Sequence, residues 1–151
     1  PFFISCQYGH LEIVEFMMND HRIDVNKSMN DGATPFFISC QNGDLEIDKL
    51  MIADKRIDVN KSMNDGATPF LISCQNGHHE IVEMMMNDHR INVNKSWRHG
   101  STAFSMTCQT GYIEVIKTLL TNGMIDITSS DTDTNWSPFM FASFSGDISI
   151  I

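Results

Sequence analysis

The chain repeats itself every 34 residues, and no other feature restricts its fold as strongly. The string PFFISCQYGHLEIVEFMMNDHRIDVNKSMNDGAT begins at Pro1, PFFISCQNGDLEIDKLMIADKRIDVNKSMNDGAT at Pro35 and PFLISCQNGHHEIVEMMMNDHRINVNKSWRHGST at Pro69, and a more divergent copy runs from Ala103. With a period of this size each repeat is one supersecondary unit, stacked so that it touches only its neighbours. Length then counts layers: a partial unit at 1–30, full units at 31–64, 65–98 and 99–134, and a partial unit at 135–151.

The repeat decides how Cys6, Cys40, Cys74 and Cys108 are to be read, since they occupy one position in four copies. Equivalent positions in stacked layers lie about 8–10 Å apart if helices pack on helices. A disulfide needs Cα atoms within about 7 Å, and a zinc ion needs four sulfurs at about 2.3 Å from one point. The cysteines therefore read as small buried hydrophobes, not as a disulfide set or a metal site. The aligned residue in the last partial unit is Ser143, small but without a thiol.

Residues 31–64 show how one unit folds. Thr34 before Pro35 is a helix start, with a hydroxyl to cap free backbone donors and a ring suited to the first helical position. Phe36, Phe37, Ile38 and Cys40 give a short apolar helix that Gly43 ends. Leu45, Ile47, Leu50 and Met51 recur at helical spacing, with Glu46 and Lys49 facing solvent. The segment 56–66 then reads as an extended piece entering a Gly-containing turn. The expected unit is helix, turn, helix and protruding hairpin.

These residues resemble the ankyrin repeat family. Asp31-Gly32-Ala33-Thr34-Pro35-Phe36 matches its DxxGxTPL element, Gly9-His10-Leu11-Glu12-Ile13-Val14 its GHLEIV element, and Asp24-Val25-Asn26 and Asp58-Val59-Asn60 its DVN segment. The resemblance covers essentially the whole chain and implies an all-α solenoid of stacked helix-turn-helix units with protruding β-hairpin loops. Two departures stand out. The histidine of the family's TPLH is replaced by Phe3, Phe37, Leu71 and Ser105, so apolar packing is expected in place of its hydrogen bonds. One residue is also inserted at the bend before IDVN, where the family's glycine becomes His21-Arg22 or Lys55-Arg56.

A net charge of −9 argues against nucleic acid or an anionic membrane as partner. The basic residues recur in columns, Arg22, Arg56 and Arg90, then Lys27, Lys61 and Lys95, which read as solvated loop positions. No apolar run reaches the ~18 residues of a membrane span. The chain begins within what is TPF in later copies and stops at GDISII, aligned with GHLEIV. Both ends cut through a unit, so a piece of a longer protein is expected, with room outside it for a leader or a catalytic domain.

Within this window no residues point to catalysis, a cofactor or a small-molecule substrate. Met17, Met18, Met51, Met84, Met85 and Met86 fall mostly at core positions of the second helices, although methionine-rich surfaces also serve as binding grooves. His10, His78, His21 and His89 are spread along the stack, which suits surface or helix-start roles and not a metal. Asp48 stands where Val14, Val82 and Ile116 stand, on the buried face. Either Lys49 or another cation reaches it, or the unit is locally weak. Asn26, Asn60, Asn94 and Asn135 lie in short N-glycosylation sequons, but unpaired cysteines point to a reducing compartment, where the first three read as hairpin-turn residues. By the resemblance, those three are also positions for hydroxylation.

The resemblance implies a concave partner-binding surface of hairpin tips and first helices. Carried over residue by residue, it comprises Asn30, Asp31, Ala33, Gln41 and Asn42, then Asn64, Asp65, Ala67, Gln75 and Asn76, then Arg98, His99, Ser101, Gln109 and Thr110, with Trp97 at the third tip. Two units present the same set, which recent duplication explains more simply than a periodic target. The change at Trp97, Arg98 and His99 fits a binding hot spot, and equally a tip that drifted freely. The leading expectation is a non-enzymatic, cytoplasmic scaffold that binds a protein. The alternatives are a regulatory or targeting segment of a larger kinase or ubiquitin ligase, and a secreted glycosylated effector.

Overall fold

Thr34, Thr68 and Thr102 each start a helix by accepting a backbone hydrogen bond three residues on, from Phe37 N at 3.0 Å, Leu71 N at 3.1 Å and Ser105 N at 3.3 Å. Proline occupies the first helical turn after the first two, where its missing N–H leaves no bond unmade. In the third, Ser105 Oγ accepts from Thr102 N at 2.9 Å and closes a reciprocal capping box. At Phe37 and Leu71 the family's histidine is replaced by a buried apolar side chain, as expected, but at Ser105 the replacement is this polar cap.

The computed structural model describes residues 1–145. Its helices are α1 (Phe2–Gln7), α2 (Leu11–Met18), α3 (Pro35–Asn42), α4 (Leu45–Ala53), α5 (Pro69–Gln75), α6 (His79–Met86), α7 (Ala103–Thr110), α8 (Ile113–Asn122) and α9 (Pro138–Ser145). The odd-numbered helices stack on one another as an inner row and α2, α4, α6 and α8 as an outer row, with α1, α3, α5 and α7 each packed on its own outer helix. The alignment of GDISII with an outer helix lies outside the described residues. No strand forms among the described residues. The expected hairpins are tight turns closed by one pair of bonds, Met29 N to Ala33 O at 2.9 Å and Gly32 N to Met29 O at 3.0 Å in the first.

Two glycines let consecutive layers approach closely. Gly43 (φ 83°) ends α3, and a Cβ there would lie 2.6 Å from the His78 ring of the next layer. Gly32 (φ 91°) sits in the first tip, where a Cβ would lie 2.6 Å from Asn64 N. Both positions combine a left-handed backbone with no space for a side chain.

The core runs unbroken through the stack. Phe36, Phe70 and Phe104 fill it from the inner helices, and Val14, Val82, Met51, Met85 and Leu119 from the outer ones. Each such side chain contributes about 1.5–3 kcal/mol by leaving water. All four cysteines are free and fully buried. Burial pushes the Cys6 and Cys108 thiols up to about 12, and those of Cys40 and Cys74 upward as well, so the thiolates needed for chemistry are suppressed. The methionines keep to the core reading: Met18, Met51, Met85 and Met86 are buried, Met17 and Met84 half-buried.

Polar side chains stitch the layers together in register. Asn26 donates its amide to Arg56 O at 2.7 Å and accepts from Asp58 N at 2.8 Å. Asn60 repeats the clamp on Arg90 O (2.6 Å) and Asn92 N (2.8 Å), and Asn94 on Met124 O (2.8 Å) and Asp126 N (2.8 Å). These asparagines lie in turns, as expected, and serve in addition as joints between layers.

The basic columns are solvated only in the first layer, where Arg22 and Lys27 are exposed; in the later layers they too bridge. Arg56 and Arg90 are half-buried, paired with Asp54 (2.6 Å) and Asp88 (2.5 Å), and donate to Met18 O at 2.6 Å and Ile52 O at 2.5 Å at the end of the preceding outer helix. Cations suit a helix C-terminus, where backbone carbonyls lack intrahelical partners. Lys61 reaches Asn26 O at 2.9 Å and Lys95 reaches Ser62 Oγ at 3.4 Å. Repeats reveal that positions are equivalent, but not that they face the neighbouring copy.

Candidate functional site

The turn tips and the ends of the inner helices lie side by side because each tip leads directly into an inner helix. Asp31 and Asp65 shape the first two tips, each accepting from the backbone two residues on, Ala33 N and Ala67 N, both at 3.0 Å. Those alanines were expected on the exposed surface. They are only 4% and 5% exposed and belong to the core, because their short side chains point inward as the chain enters the helix.

Several other candidates are committed to neighbouring layers. Asn64 donates to Asn30 O at 2.8 Å, Asn42 to Gln7 O at 2.8 Å and Asn76 to Gln41 O at 2.9 Å. His78 adds a contact to Gln41 O at 3.0 Å. Gln41 and Gln109 remain exposed, as do Asn30, Asp31 and Thr110, while Gln75 is half-buried. Gln7 is exposed in the same register and escaped the sequence reading. Its position 34 residues before Gln41 is the signal that identifies it.

The third tip differs from the others. Trp97 is half-buried beside Gly66 of the preceding tip, and its indole N–H is buried without a hydrogen-bond partner among the described residues. Arg98 lies over the Trp97 ring at 5.3 Å and donates to Asp65 Oδ2 at 3.0 Å. His99 has a left-handed backbone (φ 56°) and pairs with Asp133 at 2.7 Å. Ser101 donates to Asp131 at 3.2 Å. The tip thus leans on both of its neighbours, with the Arg98 guanidinium still more than half exposed. Such an aromatic and cationic pair has the composition of a recognition contact.

Asp48 is fully buried on α4, as its position among valines required. Among the described residues no cation reaches it. Lys49 pairs instead with Glu46 at 2.7 Å on the outside of the helix. The carboxylate accepts through Oδ1 from the Ser39 hydroxyl and from the Cys40 thiol at 3.6 Å, and Oδ2 has no partner among the described residues. Burial pushes its pKa up to about 7, against the lowering effect of the Ser39 and Cys40 hydrogen bonds. The set has no histidine base and no open approach, and it serves as a polar inclusion in the core.

Among the described residues no group of three or more His, Cys, Asp or Glu side chains is placed to hold a metal ion. None of the helices there is long and apolar enough to cross a membrane. The family model described as ankyrin repeats, in three copies, matches residues 2–96, well over half of the chain. No curated protein matches the sequence.

Proposed function

The chain belongs to the ankyrin repeat family, and from that premise we propose that it is a non-enzymatic module that holds a protein partner across its tips and inner helices. Ankyrin repeats are generally protein–protein interaction modules. The observation that carries the reading to particular residues is the third tip, where Trp97 and Arg98 replace the Met and Asn of the two preceding tips and leave a guanidinium open to solvent beside an aromatic face. Around it Gln41, Gln75, Gln109, Thr110, Asn30 and Asp31 supply polar contacts. Ala33 and Ala67 support this surface from beneath and do not touch the partner. The four buried free thiols suit a reducing compartment.

The test begins with proteins crosslinked to the chain in cells and identified by mass spectrometry, followed by titration of the purified pair. Trp97→Ala combined with Arg98→Ala weakens binding at least tenfold. Gln41→Ala with Gln75→Ala, which spares the tip, has a smaller effect. Unaltered affinity in the tip variant, with its fold intact by circular dichroism, removes this site.

A further inference from the structure

Four inner helices, α1, α3, α5 and α7, carry the same side chain in their last turn: Gln7, Gln41, Gln75 and Gln109. Three are exposed and Gln75 is half-buried. Among the described residues none of the four side-chain amides makes a hydrogen bond, so packing of the fold does not account for them. Copying alone does not account for them either. In the divergent unit the surface positions around the glutamine have changed, Asn30 and Asn64 to Arg98, Asn42 and Asn76 to Thr110, while Gln109 remains.

The main chain beneath the row is held in place. Asn42 donates to Gln7 O at 2.8 Å and Asn76 to Gln41 O at 2.9 Å, each across one layer boundary. These glutamines therefore combine an anchored backbone with a free amide, and each amide offers two donors and an acceptor. Layers of packed helices lie about 8–10 Å apart. A polyproline II chain has three residues per turn and rises about 9.3 Å in that turn, so every third carbonyl faces the same side. It makes no internal hydrogen bonds, which leaves those carbonyls open. A β-strand covers a similar length in three residues but turns alternate groups to opposite faces, so it misses every second glutamine.

Building on the reading of the chain as a protein-binding module, we propose that this glutamine row holds a partner segment of about ten residues in polyproline II conformation. Each glutamine NH2 donates to the carbonyl of every third residue. The partner then needs no repeating sequence, because its backbone supplies the period. Proline fits every rung, since it lacks only the N–H and keeps the carbonyl.

The probe is a phage-displayed library of twelve-residue peptides with proline at every third position, selected against the whole chain. The strongest binder is synthesised and titrated by NMR. All four glutamine side-chain amide signals shift with one Kd, and Gln41→Ala with Gln75→Ala raises that Kd at least fivefold. Gln41→Met with Gln75→Met, which keeps the length of the side chains and removes their donors, does the same. A library without a binder, glutamine amides that do not shift, or a Kd that withstands both double substitutions overturns the proposal. Bound-state couplings of a helix or a β-strand in the peptide overturn it as well. The tip substitutions at Trp97 and Arg98 are read on the protein partner and these on the peptide, so either reading can fail while the other stands.

Discussion

Ser39 donates its hydroxyl hydrogen to Asp48 inside the second layer, and that bond is the strongest support the buried carboxylate has. In the other layers Val14, Val82 and Ile116 fill the same place without needing any support. The second layer is therefore the one in which an apolar contact has been exchanged for a polar group with one unpaired oxygen.

Asp48→Val removes that burden. Ser39 keeps a second acceptor, Phe36 O at 3.1 Å, so the substitution leaves no hydroxyl stranded. Removing an unsatisfied buried acceptor contributes about 1–3 kcal/mol. The melting temperature at pH 8 rises by about 3–10 °C on the scale of a domain this size. An unchanged or lower value counts against the core placement of the carboxylate.

Stability also depends on pH through the same group. The folded-state pKa of Asp48 is raised, so the folded state holds its proton where the unfolded chain releases it. The stabilising contribution is complete below the unfolded value of 3.8, declines as pH rises and is lost once pH passes about 7. The gap in urea midpoint between Asp48→Asn and the parent chain therefore widens from pH 5 to pH 8 and stays level above that. A gap that is constant with pH refutes the shift.

Asn60→Ala opens the joint between the second and third layers. It leaves Arg90 O and Asn92 N without the partners they have at 2.6 and 2.8 Å. The expected loss is about 1–2 kcal/mol in urea unfolding. Hydrogen exchange at the Asn92 amide accelerates, while the Asp58 amide, held by Asn26, keeps its rate.

The thiols provide a test of burial without mutation. An aromatic disulfide reagent at pH 8 modifies none of the four cysteines on the timescale at which it modifies all four in urea, because burial raises every thiol pKa. Rapid labelling of Cys40 or Cys74 in the folded chain refutes the close packing around them.

The residues legible from sequence were those whose role is local. Thr34 and Pro35 announce a helix start within four residues, and the cysteine column follows from the period alone. The roles that escaped depend on which way an equivalent position faces. Arg56, Lys61 and Asn60 recur as visibly as Cys40 does, but periodicity does not separate a column bathed in solvent from one that bridges layers. Asp48 lies on the buried face as its position implies, and of the two readings open for it the cation fails, because the group that reaches it is Ser39, nine residues away on the facing helix. Ala33 and Ala67 were placed outside by resemblance to a surface whose turns are expected as hairpins. The tight turns found here bring those two residues into the core.

The asparagine, lysine and arginine stitches all join a layer to the one beside it. Pulled from its ends, such an array has no bond that ties distant layers into one breaking unit, so it yields as a row of separate fasteners. Each rupture releases one repeat, and a 34-residue segment drawn out at about 3.3–3.6 Å per residue, less the roughly 8–10 Å that a folded layer spans, lengthens the chain by roughly 100–115 Å. Single-molecule stretching therefore gives a sawtooth with steps of that size, and the layer holding Asp48 gives way at low force.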